Sequence, residues 1–389
     1  MSGFEVLHRD RSCRARLGLL RTVHGQVETP VFMPVGTAGA VKGISPEELE
    51  RVGAEMILAN TYHLVLRPGV DCIESLGGLH SFMGWNKPIL TDSGGYQIFS
   101  LGRRFSEDVE DGRWKGSLSK VDDNGVEFTS HIDGAKMYLD ADKATEVQNR
   151  LGGDVITCFD QCAAFGCGAL ELRESVERTI RWAQQCKRAH SNDRQLQFGI
   201  VQGGVDAGLR AYCCDALVKL DFDGYAIGGL SVGEGHEKMV RTVAETSELL
   251  PDSKPRYLMG VGMPADIISA VRSGIDMFDC VLPTRNGRNA YAFTEGGPLR
   301  MRNKSHARSS EPIESGCDCY CCRNFSRAAI RHFFNVGEML GPILVSLHNL
   351  RFYQRLMAGI RRAVAEDAFE QWSAGQMAHY GQAEWLRKS

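Results

Sequence analysis

One aspartate interrupts an apolar stretch of the sequence and is followed closely by two arginines. The stretch begins Met277-Phe278-Asp279, and Arg285 and Arg288 follow in a polar segment. Because an unpaired carboxylate is costly to bury, Asp279 must be paired, neutral or functional. The pattern predicts a nucleophile or acid–base group at a strand end, beside a basic loop that binds an anion. A salt-bridged or capping aspartate followed by a solvated loop is the structural alternative.

A second aspartate, Asp92, ends another apolar run and precedes the glycine-rich segment Ser93-Gly94-Gly95-Tyr96. Two carboxylates beside an acetal-like carbon carry out glycosyl transfer, in which one attacks or stabilises the carbon and the other moves a proton. Asp279 and Asp92 are therefore the candidate catalytic residues. Structural polar packing is the alternative for each residue taken alone.

Residues suited to binding a planar heterocycle also follow strand-like runs. Asp160 and Gln202 can hydrogen bond to the edge of a ring, and Gly229 presents a backbone amide without a side chain in the way. Tyr96 and Met259 can cover the two ring faces. Their shared position at the ends of runs favours a function over isolated polar packing.

A cysteine cluster near residue 320 predicts a metal site. Three cysteines at close spacing and a later histidine are soft or borderline ligands that suit a tetrahedral, structural Zn²⁺ site. The four ligands in this interpretation are Cys317, Cys319, Cys322 and His348. Cys321 is the spare cysteine, and His332 competes with His348 for the fourth position.

The segment Gly260-Val261-Gly262-Met263-Pro264-Ala265 matches the dinucleotide fingerprint G-x-G-x-x-A, after a strand and at a helix start. The unit is seventh in the chain rather than first, and a proline is an ordinary residue at a helix start. Helix N-terminal amides bind anions of many kinds. We therefore favour an anion site and keep an NAD oxidoreductase as the alternative, which titration with NAD would decide.

These residues are spaced by a repeated unit of a short apolar run, a polar or glycine-rich loop and a helical pattern. Such alternation indicates parallel βαβ units, and continuous apolar runs indicate strands covered on both faces. Eight units favour a closed TIM (β/α)₈ barrel, whose strand ends converge on one mouth where active sites lie. The eight runs begin near Val31, Glu55, Pro88, Asp154, Gln197, Gly224, Arg256 and Met277.

Local signals place several helices. Ser45, with Pro46 and Glu48, forms a capping box at a helix start. Residues 172–189 and 265–272 have helical patterns. An apolar stripe at four-residue spacing predicts a final helix that closes the barrel wall. The stripe consists of Phe352, Leu356, Ile360 and Val364.

Two segments break this rhythm. Residues 102–125 are charged and contain glycine, which predicts an exposed excursion after the third strand. Residues 296–348 contain the cysteine cluster and predict a zinc-binding insert before the last helix. We expect one catalytic domain over residues 1–389 that includes this insert.

The composition is that of a soluble globular protein. The 389 residues are 43% hydrophobic and 24% charged, with a net charge of −3. A polyanion would therefore need a local basic patch, and residues 285–331 contain nine Lys or Arg against four Asp or Glu. We find no signal peptide or membrane span, and the thirteen cysteines suit a reducing cytoplasm.

In combination, the motifs resemble the bacterial tRNA-guanine transglycosylases over nearly the whole chain. Beside the metal ligands, the matching segments are Thr91-Asp92-Ser93-Gly94-Gly95-Tyr96-Gln97, Phe159-Asp160, Gly199-Ile200-Val201-Gln202-Gly203-Gly204, Gly228-Gly229-Leu230 and Met277-Phe278-Asp279-Cys280. The resemblance implies a zinc-containing TIM barrel. It also implies a homodimer that exchanges the wobble guanine of tRNAs with GUN anticodons for 7-aminomethyl-7-deazaguanine, in queuosine biosynthesis.

The resemblance also implies roles for individual residues. Asp279 corresponds to the nucleophile that attacks the ribose, and Asp92 to the general acid–base. The substrate-binding residues implied are Asp92, Ser93, Gly94, Gly95, Tyr96, Asp160, Gln202, Gly229, Leu230 and Met259. The RNA-binding residues implied are Gly260, Val261, Gly262, Met263, Pro264, Ala265, Asp266, Thr284, Arg285, Asn286, Gly287 and Arg288.

Some features depart from the family pattern. Gln161 stands where bacterial members often have Glu, and the segment near residues 107–123 is longer than usual. Val232 is a bulky aliphatic, as in bacterial members, where the eukaryotic enzymes that use queuine have glycine. A non-catalytic partner subunit of the same fold is a further alternative, but it should lack the pair Asp92 and Asp279.

Overall fold

The computed structural model describes residues 2–99 and 119–380. Its strands, in chain order, are β1 (Gly3–Arg9), β2 (Arg16–Thr22), β3 (Gly25–Thr29), β4 (Val31–Gly36), β5 (Ile57–Ala59), β6 (Ile89–Thr91), β7 (Ser119–Val121), β8 (Gly125–Thr129), β9 (Lys136–Asp140), β10 (Val155–Thr157), β11 (Leu196–Val201), β12 (Gly224–Ile227), β13 (Arg256–Leu258), β14 (Met277–Cys280), β15 (Tyr291–Ala292) and β16 (Leu299–Arg300). Among these described residues, no helix is long and apolar enough to cross a membrane.

Eight of the strands form a closed parallel barrel. Their order is β4, β5, β6, β10, β11, β12, β13 and β14, and β14 pairs with β4 to close the ring. All six residues of β11 are buried, as expected for a strand covered by helices outside and by side chains inside. The predicted (β/α)₈ barrel is therefore confirmed.

The α-helices whose bounds are described are α1 (Pro46–Arg51), α2 (Thr61–Leu66), α3 (Val70–Ser75), α4 (Gly78–Met83), α5 (Ala141–Leu151), α6 (Ala169–Ala189), α7 (Ala207–Val218), α8 (His236–Glu248), α9 (Pro264–Arg272), α10 (Leu282–Arg288), α11 (Tyr320–Asn324), α12 (Arg327–Val336), α13 (Leu340–Ala365) and α14 (Phe369–Tyr380). The predicted helices at 172–189 and 265–272 correspond to α6 and α9. The capping box at α1 is also confirmed, because Ser45 Oγ accepts from the Glu48 amide and Glu48 Oε2 accepts from the Ser45 amide.

The amino end of the barrel is covered by an antiparallel sheet of β1, β2 and β3. Leu20 and Val27 of this sheet pack in one buried cluster with Met33 and Leu58 of the barrel strands. A second antiparallel sheet, β7 to β9, lies between β6 and α5 in the chain. Most of the predicted excursion at 102–125 lies outside the described residues.

The prediction that the helix with the apolar stripe is the last one is wrong. The stripe is buried in α13, as expected, but α14 follows it and packs against it. The turn between them places Asp367 at a φ of 53°. The helix α14 buries only a few residues, such as Phe369 and Tyr380, so its sequence lacks a clear apolar stripe.

The prediction of a basic loop after Asp279 is also wrong, because this segment forms helix α10. The helix packs closely on α13, and a Cβ atom at Gly287 would lie 2.5 Å from Ser346 Oγ. Asn349 of α13 also donates from Nδ2 to the Pro283 carbonyl at 2.9 Å. Gly287 therefore permits close contact between two helices rather than the turn that a glycine suggests in sequence.

Candidate functional site

Asp279 lies on β14, with its carboxylate half-buried at the carboxyl end of the barrel. Its Oδ1 accepts from the Tyr257 hydroxyl at 2.5 Å and from the Gly260 amide at 2.8 Å. Within the described residues, no protein group hydrogen bonds to Oδ2 and no cation pairs with the carboxylate. Burial raises the pKa of Asp279, and the two hydrogen bonds oppose that shift. One oxygen is therefore held while the other can react.

Asp92 follows β6 and is buried among neutral donors. Its Oδ2 accepts from Asn60 Nδ2 at 2.5 Å and from Gln97 Nε2 at 2.7 Å, and its Oδ1 accepts from the Thr61 amide at 2.9 Å. Burial, with a smaller contribution from the negative charge of Asp279, raises the pKa of Asp92 to about 6 despite these bonds. The two carboxylates are therefore close enough to interact, as predicted from their places at the ends of two strands.

Asp160 and Gln202 also meet in the barrel mouth. Gln202 Nε2 donates to Asp160 Oδ2 at 2.6 Å, and both side chains are almost fully buried. Burial raises the pKa of Asp160 to about 6. Gly229 lies against Gln202 at a φ of 69°, and a Cβ atom there would be 2.3 Å from Gln202 Oε1. A side chain at Gly229 would therefore displace the amide of Gln202.

The glycine-rich segment after Asp92 packs against the loop after β10. A Cβ atom at Gly95 would lie 2.8 Å from the Asp160 carbonyl, and Gly94 has a φ of 83°. Ser93 is buried, whereas the neighbouring Tyr96 is 51% exposed and can contact a bound ring. Across the mouth, Met259 is partly buried, and Leu230 is buried.

Several residues that hold the site were not assigned a role from sequence. Asn60, Thr61 and Gln97 fix Asp92, and Tyr257 fixes Asp279. Asn60 and Thr61 end a strand-like run, which is the same signal that identified Asp92. Tyr257 lies inside a run, so the sequence carries no signal that distinguishes it from a core residue.

Glu234 is a further buried carboxylate that sequence reasoning missed. It accepts from the backbone amides of Ser231, Val232 and Gly233, with distances of 2.9 Å and 3.1 Å for the last two. Ser231 has a φ of 59°, a left-handed conformation unusual for a residue with a side chain. Glu234 therefore fixes the loop that follows Leu230 and carries Val232.

The predicted RNA-binding residues divide into buried and accessible groups. Gly260 and Arg285 are exposed, and Met263, Asp266 and Arg288 are partly exposed. The buried members are Val261, Gly262, Pro264, Ala265, Thr284, Asn286 and Gly287. Those side chains cannot contact RNA as placed, so direct contact falls to the accessible group and to backbone atoms.

Packing within the barrel accounts for part of the dinucleotide fingerprint. A Cβ atom at Gly262 would lie 2.4 Å from Cys280 Cβ, so glycine permits the segment to approach β14. The Gly262 carbonyl accepts from the Tyr353 hydroxyl of α13. Asp266 binds His236 through its carboxylate. The motif therefore has a structural reason that requires no dinucleotide.

The cysteine cluster and His348 form a group that could hold a metal ion. Their ligand atoms all lie within 4.8 Å of one another, and His348 Nδ1 is 3.3 to 3.8 Å from the three sulfur atoms. His348 Nε2 donates to the Phe293 carbonyl at 2.7 Å, which leaves Nδ1 facing the sulfurs as an acceptor. Cys321 is buried outside this group, and His332 is exposed.

Among the described residues, Gln161 hydrogen bonds to helix α6 and not to the groups of the barrel mouth. Its side chain accepts from Arg178 of α6, and its backbone amide donates to Thr179 Oγ1 at 3.1 Å. Arg178 also binds Asp123. The presence of Gln rather than Glu at this position therefore directly affects contacts with α6.

Comparisons with known proteins show the family of the chain. A family model described as queuine tRNA-ribosyltransferase matches residues 10–382. The queuine tRNA-ribosyltransferase of Syntrophobacter fumaroxidans is 50% identical over 369 residues, which cover 95% of each chain. That of a Thermoanaerobacter species is 49% identical over 382 residues, 98% of each chain. That of a Psychrobacter species is 48% identical over 376 residues, 95% of this chain and 94% of the relative. The chain therefore belongs to the queuine tRNA-ribosyltransferase family.

Proposed function

We propose that the protein exchanges the wobble guanine of tRNAs with GUN anticodons for 7-aminomethyl-7-deazaguanine. The observation that carries the proposal is the pair Asp279 and Asp92. Asp92 is buried and Asp279 is half-buried at the barrel mouth, both have raised pKa values, and both are held by neutral donors. Within the described residues, neither is consumed by an ion pair. Carboxylates in this state are suited to attack on carbon and to proton transfer near neutral pH.

In the proposed mechanism, Oδ2 of Asp279 attacks C1′ of the ribose. A bond forms between Oδ2 and C1′ as the bond from C1′ to the guanine nitrogen breaks, and Asp92 supplies the proton that the leaving guanine takes. The incoming base returns a proton to Asp92 and attacks C1′, which releases Asp279. Two inversions at C1′ retain the β configuration of the tRNA.

Base recognition in this proposal uses the hydrogen-bonding groups opposite the two carboxylates. Asp160, Gln202 and the Gly229 amide contact the edge of the base, while Tyr96 and Met259 cover its faces. The Leu230 carbonyl faces the aminomethyl group. The nucleotide must leave its stack to reach a barrel mouth. Arg285 and Arg288 would then contact the anticodon phosphates.

The proposal is tested by measuring incorporation of radiolabelled guanine into a tRNA with a GUN anticodon. Asp92→Asn should lose exchange and retain tRNA binding. Wild-type protein should form a denaturant-resistant adduct with the tRNA, and its peptide mass should map to Asp279. Mapping to Asp92 would reverse the two roles. Absence of exchange by metal-loaded wild-type protein would reject the function.

We also propose that the metal is one structural Zn²⁺ per chain, held by Cys317, Cys319, Cys322 and His348. Three thiolates and one imidazole suit tetrahedral zinc and leave no position for a substrate. The ion would join the cysteine-bearing part of the proposed insert at 296–348 to His348 on α13, and would stabilise the single domain of residues 1–389. Cys319→Ala should lose zinc and stability, whereas Cys321→Ala should retain both. Full zinc content in the Cys319 variant, measured by atomic absorption, would contradict the ligand set.

A further part of the proposal concerns the choice of base. Val232 is partly buried in the loop fixed by Glu234. Its side chain should crowd the cyclopentenediol ring of queuine but leave room for an aminomethyl group. We expect incorporation of the aminomethyl base and poor incorporation of queuine. Equal incorporation of both bases would reject the role of Val232. The homodimer implied by the resemblance stays a prediction, which sedimentation would test.

A further inference from the structure

Arg210 is a buried arginine whose donors all point at backbone carbonyls. It lies on α7 and is 1% exposed. Its Nε donates to the Gly204 carbonyl at 2.7 Å, its Nη2 to the Gly228 carbonyl at 2.9 Å, and its Nη1 to the Val201 carbonyl at 3.4 Å. Among the described residues, no carboxylate forms an ion pair with it.

These three carbonyls flank the residues proposed to contact the base. Val201 and Gly204 lie on either side of Gln202, and Gly228 directly precedes Gly229. One guanidinium group therefore joins the ends of β11 and β12. The chain also passes very close to this side chain, because a Cβ atom at Gly203 would be 2.9 Å from Arg210 Cγ.

The location of Arg210 is costly for stability. Burial lowers the pKa of Arg210 to about 10, which still leaves it charged at neutral pH. A buried cation without a carboxylate partner is normally avoided in a core, where apolar side chains of similar size are cheaper. The five N–H groups of a planar guanidinium are, however, well suited to fix several carbonyls at once.

We propose that Arg210 is a positioning residue for base recognition, which orients the Gln202 side chain and the Gly229 amide toward the edge of a planar heterocycle. The inference rests on the proposed function and deepens it. By holding three carbonyls, Arg210 directs the adjoining amides and side chains into the mouth. Loss of Arg210 should therefore weaken binding of the free base more than binding of tRNA.

The test compares Arg210→Lys and Arg210→Gln with Arg16→Lys. Arg16 is an equally buried arginine at the opposite end of the barrel, where it donates to the Asp252 and Lys254 carbonyls and pairs with Asp276. All three variants should lose thermal stability. Only the Arg210 variants should raise the KM for guanine, by at least about tenfold. Displacing the buried donors of Gln202 and Gly229 should reduce the binding free energy of the base by a corresponding amount. The KM for tRNA should change less than about twofold.

A turnover-independent measurement separates this inference from the proposed function. Guanine at saturating concentration should raise the Tm of wild-type and Arg16→Lys protein, and should raise that of the Arg210 variants much less. A purely structural role predicts the same guanine response in all variants, and that result would overturn the inference. Folded Arg210→Lys with normal guanine affinity would also overturn it, even if Arg210→Gln does not fold. If wild-type protein binds guanine but exchanges none into tRNA, only the proposed function fails.

Discussion

Asp276 precedes strand β14 at the amino end of the barrel, and Asp279 lies three residues later at the carboxyl end. Asp276 is fully buried, and its two oxygens accept from Arg16 Nε and Nη2 at 2.9 and 2.6 Å. The Arg256 amide adds a third bond at 2.7 Å. Asp279 is half-buried and, within the described part of the chain, accepts only from neutral groups of Tyr257 and Gly260. Within the described residues, the same residue type is therefore paired with a cation at one end of the strand and has no cationic partner at the other.

The same difference separates other carboxylates at the two ends. At the amino end, Asp154 binds His24 and His80 at 2.9 Å each, and these bonds help to lower its pKa. At the carboxyl end, burial raises the pKa of both Asp92 and Asp160 to about 6. In (β/α)₈ barrels the amino end serves stability and the carboxyl end serves function. The pKa shifts of these three carboxylates follow that division, although burial also raises the pKa of Glu55, which precedes β5 at the amino end.

The largest expected effect is the loss of exchange in Asp279→Asn. An amide keeps the shape of the side chain but cannot attack C1′, and removal of a nucleophile typically lowers turnover by several orders of magnitude. We expect no detectable exchange, no denaturant-resistant adduct, and tRNA affinity close to that of wild type. Residual exchange above about 1% of wild type would contradict the assignment of the nucleophile.

The matched variant, one residue before the same strand, is Asp276→Asn. It removes the buried negative partner of the Arg16 guanidinium and leaves only the exposed, more distant Asp252 among the described residues, and loss of a buried partner typically costs about 3–5 kcal/mol of stability. Urea unfolding should reveal this loss, while folded protein at low temperature should exchange guanine at nearly the wild-type rate. A variant that keeps full stability, or that loses exchange while folded, would break the proposed division between the two ends.

Sequence reasoning recovered the features that are encoded locally. The eight apolar runs predicted the barrel, and the spacing of the cysteines predicted the metal group. It failed where a contact depends on the direction of a side chain in the folded chain, as for Tyr257 on a strand and Arg210 on a helix. It also read Gly287 as a loop signal, because the sequence does not show that Ser346 of another helix approaches within contact distance.

A smaller change in stability is expected for Asp92→Asn. Its sign is opposite to that of Asp276→Asn, because Asp92→Asn should stabilise the protein. The folded pKa of about 6 exceeds the ordinary value of 3.8, so ionisation of Asp92 disfavours the folded state. The penalty is absent below about pH 3.8 and develops fully above about pH 6, where it reaches at most about 3 kcal/mol. The stability gain of the variant should therefore be larger at pH 7.5 than at pH 5. Asp160→Asn should have the same sign, and a pH-independent gain would contradict this account.

The smallest effect concerns the amino end, through His24→Ala. His24 is partly exposed, while its partner Asp154 keeps bonds to His80 and to the Ile89 amide at 2.9 Å. Loss of one hydrogen bond to a charged group should cost about 1–2 kcal/mol at pH 7.5. The folded pKa of Asp154 is lowered, so the stability that it contributes is lost as pH falls through that pKa. Without His24 the pKa of Asp154 rises, and this loss should begin at a higher pH than in wild type. Urea unfolding at pH 7.5, 5 and 4 would measure it: the stability difference between the variant and wild type should be largest at pH 7.5 and should shrink as Asp154 becomes protonated. A difference that grows as pH falls would contradict the stabilising role of this carboxylate.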